Sequence, residues 1–162
     1  MTLELEQPRP PAPPERLAET ERRLAELGRP LPPSYRAFLA EQDGGRPIRN
    51  TFSFEQDGGE QSSRVASFLG VLPAPGGDLV ETAELSGDLP EGLLAIADDE
   101  FGNSICIDED GRVQFWDHEE EYGNVHEVAP DLQTFIDGLT EPELPPAAPE
   151  PERSGWRRLF GR

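Results

Sequence analysis

Apolar residues recur at helical spacing near both ends of the chain and alternate in the middle, so the pattern changes period along its length. From Pro14, Leu17, Leu24 and Leu27 fall near a 3.6-residue repeat, and Gly28 is a natural stop for that helix. Pro32 and Pro33 then suit a helix start, with Tyr35, Phe38 and Leu39 on one face and Asp43-Gly44-Gly45 ending it. Phe52 and Phe54 alternate with polar residues over Thr51–Glu55. Asp57-Gly58-Gly59 reads as a turn, and Val65–Val71 as a second strand. Asp78–Leu85 has the spacing of a short helix with Leu79, Ala83 and Leu85 inward, and Leu93–Ala97 reads as a buried strand. A last helix is expected over Pro130–Leu139, with Leu132, Phe135, Ile136 and Leu139 as its apolar stripe.

Between these lies the strongest hairpin signal, Ser104–Asp108 followed by Arg112–Asp117. A two-residue loop at Asp110-Gly111 would set Ile105 and Ile107 opposite Trp116 and Gln114. A three-residue loop, Glu109-Asp110-Gly111, sets them opposite Phe115 and Val113 instead, gathering four apolar side chains on one face. The second register is preferred. It turns Cys106, Asp108, Arg112 and Trp116 to the other face.

Charge adds a second layer. The chain carries 33 acidic and 14 basic residues, a net −19, and every strong base is arginine. Such a surface repels nucleic acid and attracts basic partners. Ten carboxylates fall between Asp98 and Glu121: Asp98, Asp99, Glu100, Asp108, Glu109, Asp110, Asp117, Glu119, Glu120 and Glu121. They bracket the hairpin, so the acid is expected on an ordered sheet, presented to a partner, with Trp116 as an anchor.

The domain layout follows from composition. Residues 1–14 form a Pro-rich arm without a core pattern, expected to be disordered or extended. Residues 15–140 form the domain, and 141–152 are a Pro/Ala/Glu linker. Residues 153–162 are a basic amphipathic tail. There Arg153, Arg157, Arg158 and Arg162 surround Trp156, Leu159 and Phe160, and docking is placed on Trp156, Arg157, Arg158, Leu159 and Phe160. That tail suits a partner, an anionic membrane (the lesser expectation) or the acidic domain itself. The N-terminus has no basic and apolar leader pattern, and one cysteine, Cys106, permits no internal disulfide; both agree with a reducing cytoplasm.

No catalytic constellation emerges. His118 and His126 are the only histidines, and neither H-E-x-x-H nor C-x-x-C nor G-x-S-x-G is present. The paired glycines lack a P-loop lysine and read as turns. Asp108-Glu109-Asp110-Gly111 shares the start of a calcium loop but lacks the remaining spacing and the closing glutamate. Neither a metal nor a cofactor is expected.

Taken in order, these segments resemble the SUKH superfamily of bacterial toxin-immunity proteins and fungal cell-wall-assembly regulators. The resemblance rests on Leu31-Pro32-Pro33-Ser34-Tyr35-Arg36-Ala37-Phe38-Leu39, Asp43-Gly44-Gly45 and Phe68-Leu69-Gly70. It continues through Leu94–Asn103, Ile105–Asp108, Val113–Glu119 and the helix at Leu132–Leu139. It covers about residues 15–140 and leaves the tails outside. It implies an α+β fold, with N-terminal helices and a C-terminal helix packed on a mostly antiparallel sheet. It also implies a non-enzymatic role, foremost an immunity protein that neutralises a toxin domain, often a nuclease, by occupying its basic surface. A regulatory scaffold or adaptor that docks a partner or membrane through the Trp/Arg tail is the alternative. Because Asp98–Asn103 and Trp116–Glu119 belong to the resemblance itself, they are expected to serve the fold. The excess acid, Asp108–Asp110 and Glu119–Glu121, is where binding is expected.

Overall fold

A computed structural model describes residues 3–144, and in it the period changes along the chain become four helices and one six-stranded sheet. The elements are α1 (Pro14–Glu26), α2 (Pro33–Glu41), β1 (Thr51–Gln56), β2 (Gly59–Phe68), α3 (Leu79–Leu85), β3 (Leu94–Asp99), β4 (Ser104–Ile107), β5 (Val113–Trp116), β6 (Val125–Ala129) and α4 (Leu132–Asp137). The strands lie in sequence order, and every neighbouring pair is antiparallel. The fold is therefore α+β, as expected.

The β4–β5 hairpin takes the three-residue register, with Ile105 opposite Phe115 and Ile107 opposite Val113. Gly111, at φ +82°, supplies the left-handed turn position. All four apolar side chains are buried on the inner face. There they meet a ladder of aromatic rings. Phe54 lies 4.6 Å from Phe115 and Phe52 5.7 Å from it, while Phe135 of α4 reaches Phe52 at 5.6 Å. Phe38 of α2 meets Phe68 at 5.5 Å. Since Phe52 and Phe54 are on β1 and Phe115 is on β5, the sheet is rolled until its first strand approaches its last ones. The free edge of β1 is closed by Thr51 and Thr140, which exchange backbone hydrogen bonds at 3.0 and 3.1 Å.

Three polar anchors fix the helices and connections. The Tyr35 hydroxyl of α2 lies 2.7 Å from the Leu69 carbonyl and 3.0 Å from that of Ile96, in full burial. Arg29, just after α1, donates to the carbonyls of Pro90, Leu93, Ser86 and Leu89, so one guanidinium pins the whole connection before β3. Asp43 is fully buried. Its carboxylate accepts from the backbone N–H groups of Val71 (2.6 Å) and Leu72 (3.2 Å), and Arg9 Nη2 lies 3.5 Å away. The adjoining Gly44, at φ +65°, leaves no room for a side chain, because a Cβ there would sit 2.5 Å from the Phe68 carbonyl oxygen.

Several expectations are corrected. Residues 3–13 are not a disordered arm: Leu3 and Ala12 are buried, and the Ala12 N–H donates to the Leu39 carbonyl. The reason is that two isolated apolar residues find pockets that no local periodicity announces. Leu27 and Leu85, expected inward, are exposed; Val80 takes the buried place beside Leu79. The second strand begins at Gly59 rather than Val65, since backbone pairing to β1 carries the polar run Gly59–Arg64. Cys106, by contrast, is a core residue as expected: it points away from the inner face and is completely covered. β6 had no clear sequence signal, because its residues Val125–Ala129 are mostly exposed or half-buried. α4 is shorter than expected, starting after Asp131, whose carboxylate accepts from the Thr134 N–H at 2.7 Å.

Replacing Tyr35 with Phe keeps the ring packing and removes a donor to the Leu69 carbonyl and one of the two donors to that of Ile96, which also accepts the Leu69 N–H at 2.7 Å. Urea denaturation should show a loss of about 1–3 kcal/mol. An unchanged midpoint would mean that the hydroxyl is not needed.

Candidate functional site

Strict neighbour pairing sorts the turns between two ends of the sheet. The β1–β2, β3–β4 and β5–β6 turns share one end, and the β4–β5 turn lies at the other. The acidic stretch is thus divided. Asp98–Glu100 and Asp117–Glu121 come together, whereas Asp108–Asp110 is held away by the four residues of β4, a separation of about 13 Å at 3.3 Å per residue.

At the first end a hydrogen-bonded chain starts from a carboxylate inside the protein. Asp99 is 4% exposed. Its Oδ1 accepts from the N–H groups of Phe101 and Asn103, both at 2.8 Å, and its Oδ2 from Ser63 Oγ and Asn103 Nδ2, both at 2.9 Å. Four donors offset the cost of burying this group. Asp99 is consequently a structural residue, a correction to its place among the partner-binding acids. With Asn103 Nδ2 turned to Asp99, its Oδ1 faces His118. It accepts the His118 N–H at 3.2 Å and lies 2.7 Å from His118 Nδ1, which must therefore carry a proton. The β3–β4 turn and the β5–β6 loop are joined through this contact.

The other acids at this end divide by accessibility. Glu120 accepts from Gln56 Nε2, which ties the loop back to β1, and lies 3.6 Å from His126 Nε2 of β6. Asp117 is half-buried and accepts the Glu119 N–H at 2.9 Å, shaping the loop. Glu100 sits 3.8 Å from Arg64 in an exposed pair of little energetic weight. Glu119 and Glu121 are exposed. So are Glu55, Asp57 and Glu60 on the neighbouring β1–β2 hairpin, which sequence reading did not single out.

Two aromatic side chains stand out of this acidic end. Phe101 is 70% exposed and Tyr122 is 84% exposed, one on each of the two turns joined by Asn103 and His118. Neither was expected as a binding residue. The available signal was an aromatic residue in a polar turn, with no alternating apolar partner to take it inward. Trp116, the expected anchor, is instead half-buried against the core, and its indole N–H is buried without a hydrogen-bond partner among the described residues.

Asp98 differs from its neighbour. It faces outward in register with Ser67 and Ser104, half-buried, and no hydrogen bond or ion pair reaches its carboxylate among the described residues. Burial, with a smaller push from Asp99, raises its pKa to about 6. It lines a cleft of about 610 Å³ together with Arg9, Arg46, Ser67 and Ala74.

At the opposite end Asp108 builds the hairpin turn. Its Oδ1 accepts the N–H groups of Asp110 and Arg112, both at 2.9 Å, and its Oδ2 accepts from Gln114 Nε2 at 3.0 Å. Of the three acids of this turn, Glu109 and Asp110 are exposed and Asp108 is half-buried. Burial pushes the Cys106 thiol well above its ordinary pKa; Arg29 opposes the shift and Asp98 adds to it, so the thiol stays protonated. Among the described residues no group of three or more His, Cys, Asp or Glu side chains is placed to hold a metal ion. Among them, too, no helix is long and apolar enough to cross a membrane. The expected docking residues Trp156, Arg157, Arg158, Leu159 and Phe160 lie outside the described residues.

Comparison with known proteins agrees with this architecture. Residues 11–138 match the SMI1 / KNR4 family (SUKH-1), and the chain belongs to that family. Its members are in general non-enzymatic binding proteins, consistent with an immunity-type or regulatory role. No curated protein matches the chain in sequence.

Two measurements probe the site. Asn103→Ala removes a donor from buried Asp99 and the acceptor for His118. It should cost about 1–3 kcal/mol in urea and speed amide exchange in the β5–β6 loop. Asp98 favours the folded state when protonated, so its stabilising contribution is present below the unfolded pKa of 3.8 and lost as pH rises through about 6. With Arg153, Arg157, Arg158 and Arg162 changed to Gln, Asp98→Asn should therefore raise Tm above pH 6 and leave it little changed below pH 4; an equal effect at both ends of that window would contradict the assignment.

Proposed function

We propose that this SMI1 / KNR4 family (SUKH-1) chain is an immunity-type binding protein, acting without catalysis in the cytoplasm. In this reading it neutralises a toxin domain by covering that domain's basic surface with its acidic, aromatic-tipped end. The observation that carries the reading is the exposure of Phe101 and Tyr122, one on each of two turns that Asn103 and His118 join, in loops that also carry exposed Glu100, Glu119 and Glu121. Aromatic side chains at the centre of an interface contribute most of the binding energy, while rim charges chiefly set the rate of encounter. A nuclease domain, whose basic surface holds phosphates, has the complementary chemistry. Rigidity helps as well, because the Asp99–Asn103–His118 chain holds both turns in place before the partner arrives.

The roles within the site differ from residue to residue. Glu119 and Glu121 supply steering charge. Glu120 and Asp117 shape the loop that displays them, and Asp99 acts from inside. Trp116 supports the two turns from the adjoining strand end. Glu109 and Asp110 lie at the far end of the sheet, where they belong to a second, separate acidic edge.

The direct test asks whether a toxin domain is encoded beside this gene and then measures binding to it. A 1:1 complex is expected, with association slowing as salt rises. Glu119→Lys combined with Glu121→Lys should slow association about tenfold or more at low salt, and Phe101→Ala or Tyr122→Ala should speed dissociation about tenfold. Failure to protect a cell from that domain would sink the reading. Protection that depends on Trp156 and Phe160 instead would favour the adaptor alternative.

A further inference from the structure

The described chain ends on the same face of the sheet as an unsatisfied carboxylate. Thr140 is pinned to Thr51, and Glu143 then lies over a groove with Ser53, Ser62 and Arg64 on the outer face of β1 and β2. Three residues further along β2, about 10 Å away, Ser67 is opposite Asp98 in the register. That carboxylate is half-buried in its cleft and has no partner among the described residues. The basic groups beside it are engaged elsewhere. Arg9 donates from Nε to the Asp43 carbonyl at 3.1 Å, and Arg46 lies 3.9 Å from Glu6. Asp99 beneath it is saturated by its four donors.

Residues 145–152 include four prolines and span up to about 25 Å when extended. At about 4.8 Å between strands, that reach covers the sheet from β2 to β6. Beyond it come four arginines and no acid in residues 153–162, against 29 acids and 10 arginines in residues 1–140. We propose that the segment Arg153–Arg162 docks in cis on the outer sheet face and places a guanidinium in the Asp98 cleft. The pairing supplies the counter-charge that Asp98 lacks within the domain. Half-buried Trp116 and exposed Val125, paired in the register on that outer face, offer apolar surface for the tail to cover. This docking is independent of any toxin partner.

The test is made on the full-length chain with no partner present. Carboxyl NMR would follow the Asp98 titration in the native protein and in a full-length R153Q/R157Q/R158Q/R162Q variant. An opposing charge within about 4–6 Å should place the native midpoint about one pH unit or more below that of the variant. The gap should close in about 0.5 M salt. Equal midpoints at low salt would overturn the proposal. Trp156 emission, read in Trp116→Phe, should be blue-shifted at low salt and should move to the exposed value in Asp98→Asn. If Trp116→Phe does not fold, fluorotryptophan NMR of Trp156 in the otherwise native chain gives the same reading. A signal that grows with protein concentration would assign the tail to a second copy. Capture of the tail only by anionic vesicles would assign it to a membrane. Either result refutes docking in cis.

Discussion

Backbone pairing between sequence-adjacent strands governs where chemistry appears on this molecule. Six strands joined as a meander send alternate turns to opposite ends, whatever residues those turns contain. A run of acid continuous in sequence is thereby cut into parts that face different directions. The β1–β2, β3–β4 and β5–β6 turns, distant in sequence, become one surface. The roll of the sheet, driven by packing of Phe52 and Phe54 against Phe115, brings β1 close to the last strand. It lets Gln56 bond to Glu120.

Carboxylates in this protein perform three kinds of work, and burial separates them. Asp43 and Asp99 are inside and saturated with donors; they act as branch points where loops and strands meet. Asp78, Asp108 and Asp131 accept nearby backbone N–H groups and set the ends of helices or the shape of a turn. Glu119, Glu121 and the exposed acids of the β1–β2 hairpin remain for solvent and for partners. A net charge of −19 therefore overstates the acid that is available for recognition at any one surface. It also explains how so acidic a chain can fold, since its most deeply placed carboxylates are bonded to donors.

Legibility in the sequence followed the strength of local periodicity. α2, with Tyr35, Phe38 and Leu39 on one face, and the β4–β5 hairpin, with four apolar residues fixing its register, are both present where expected. Segments held by backbone pairing or by single long-range contacts were less legible. The polar first half of β2, the exposed strand β6 and the seating of Leu3 and Ala12 belong to that class. The site followed the same rule. Its acidic character was plain, but Asp98 and Asp99 are adjacent and identical in type, and only the alternation of a strand sends one outward and the other inward.

While the α+β class came from the family resemblance, the sequence by itself determined the location of the core-forming segments, the hairpin register and the strong negative charge. These depend on local periodicity and composition, which are properties of neighbouring residues. Tertiary structure alone decided that Asp99 is interior, that Trp116 is half-buried, that Asp108–Asp110 is separated from the other acids, and that Phe101 and Tyr122 are exposed on two joined turns. Those outcomes depend on which strand ends meet in space and on how far the sheet rolls. Both are set by contacts between residues far apart in the chain, and no window of sequence contains them.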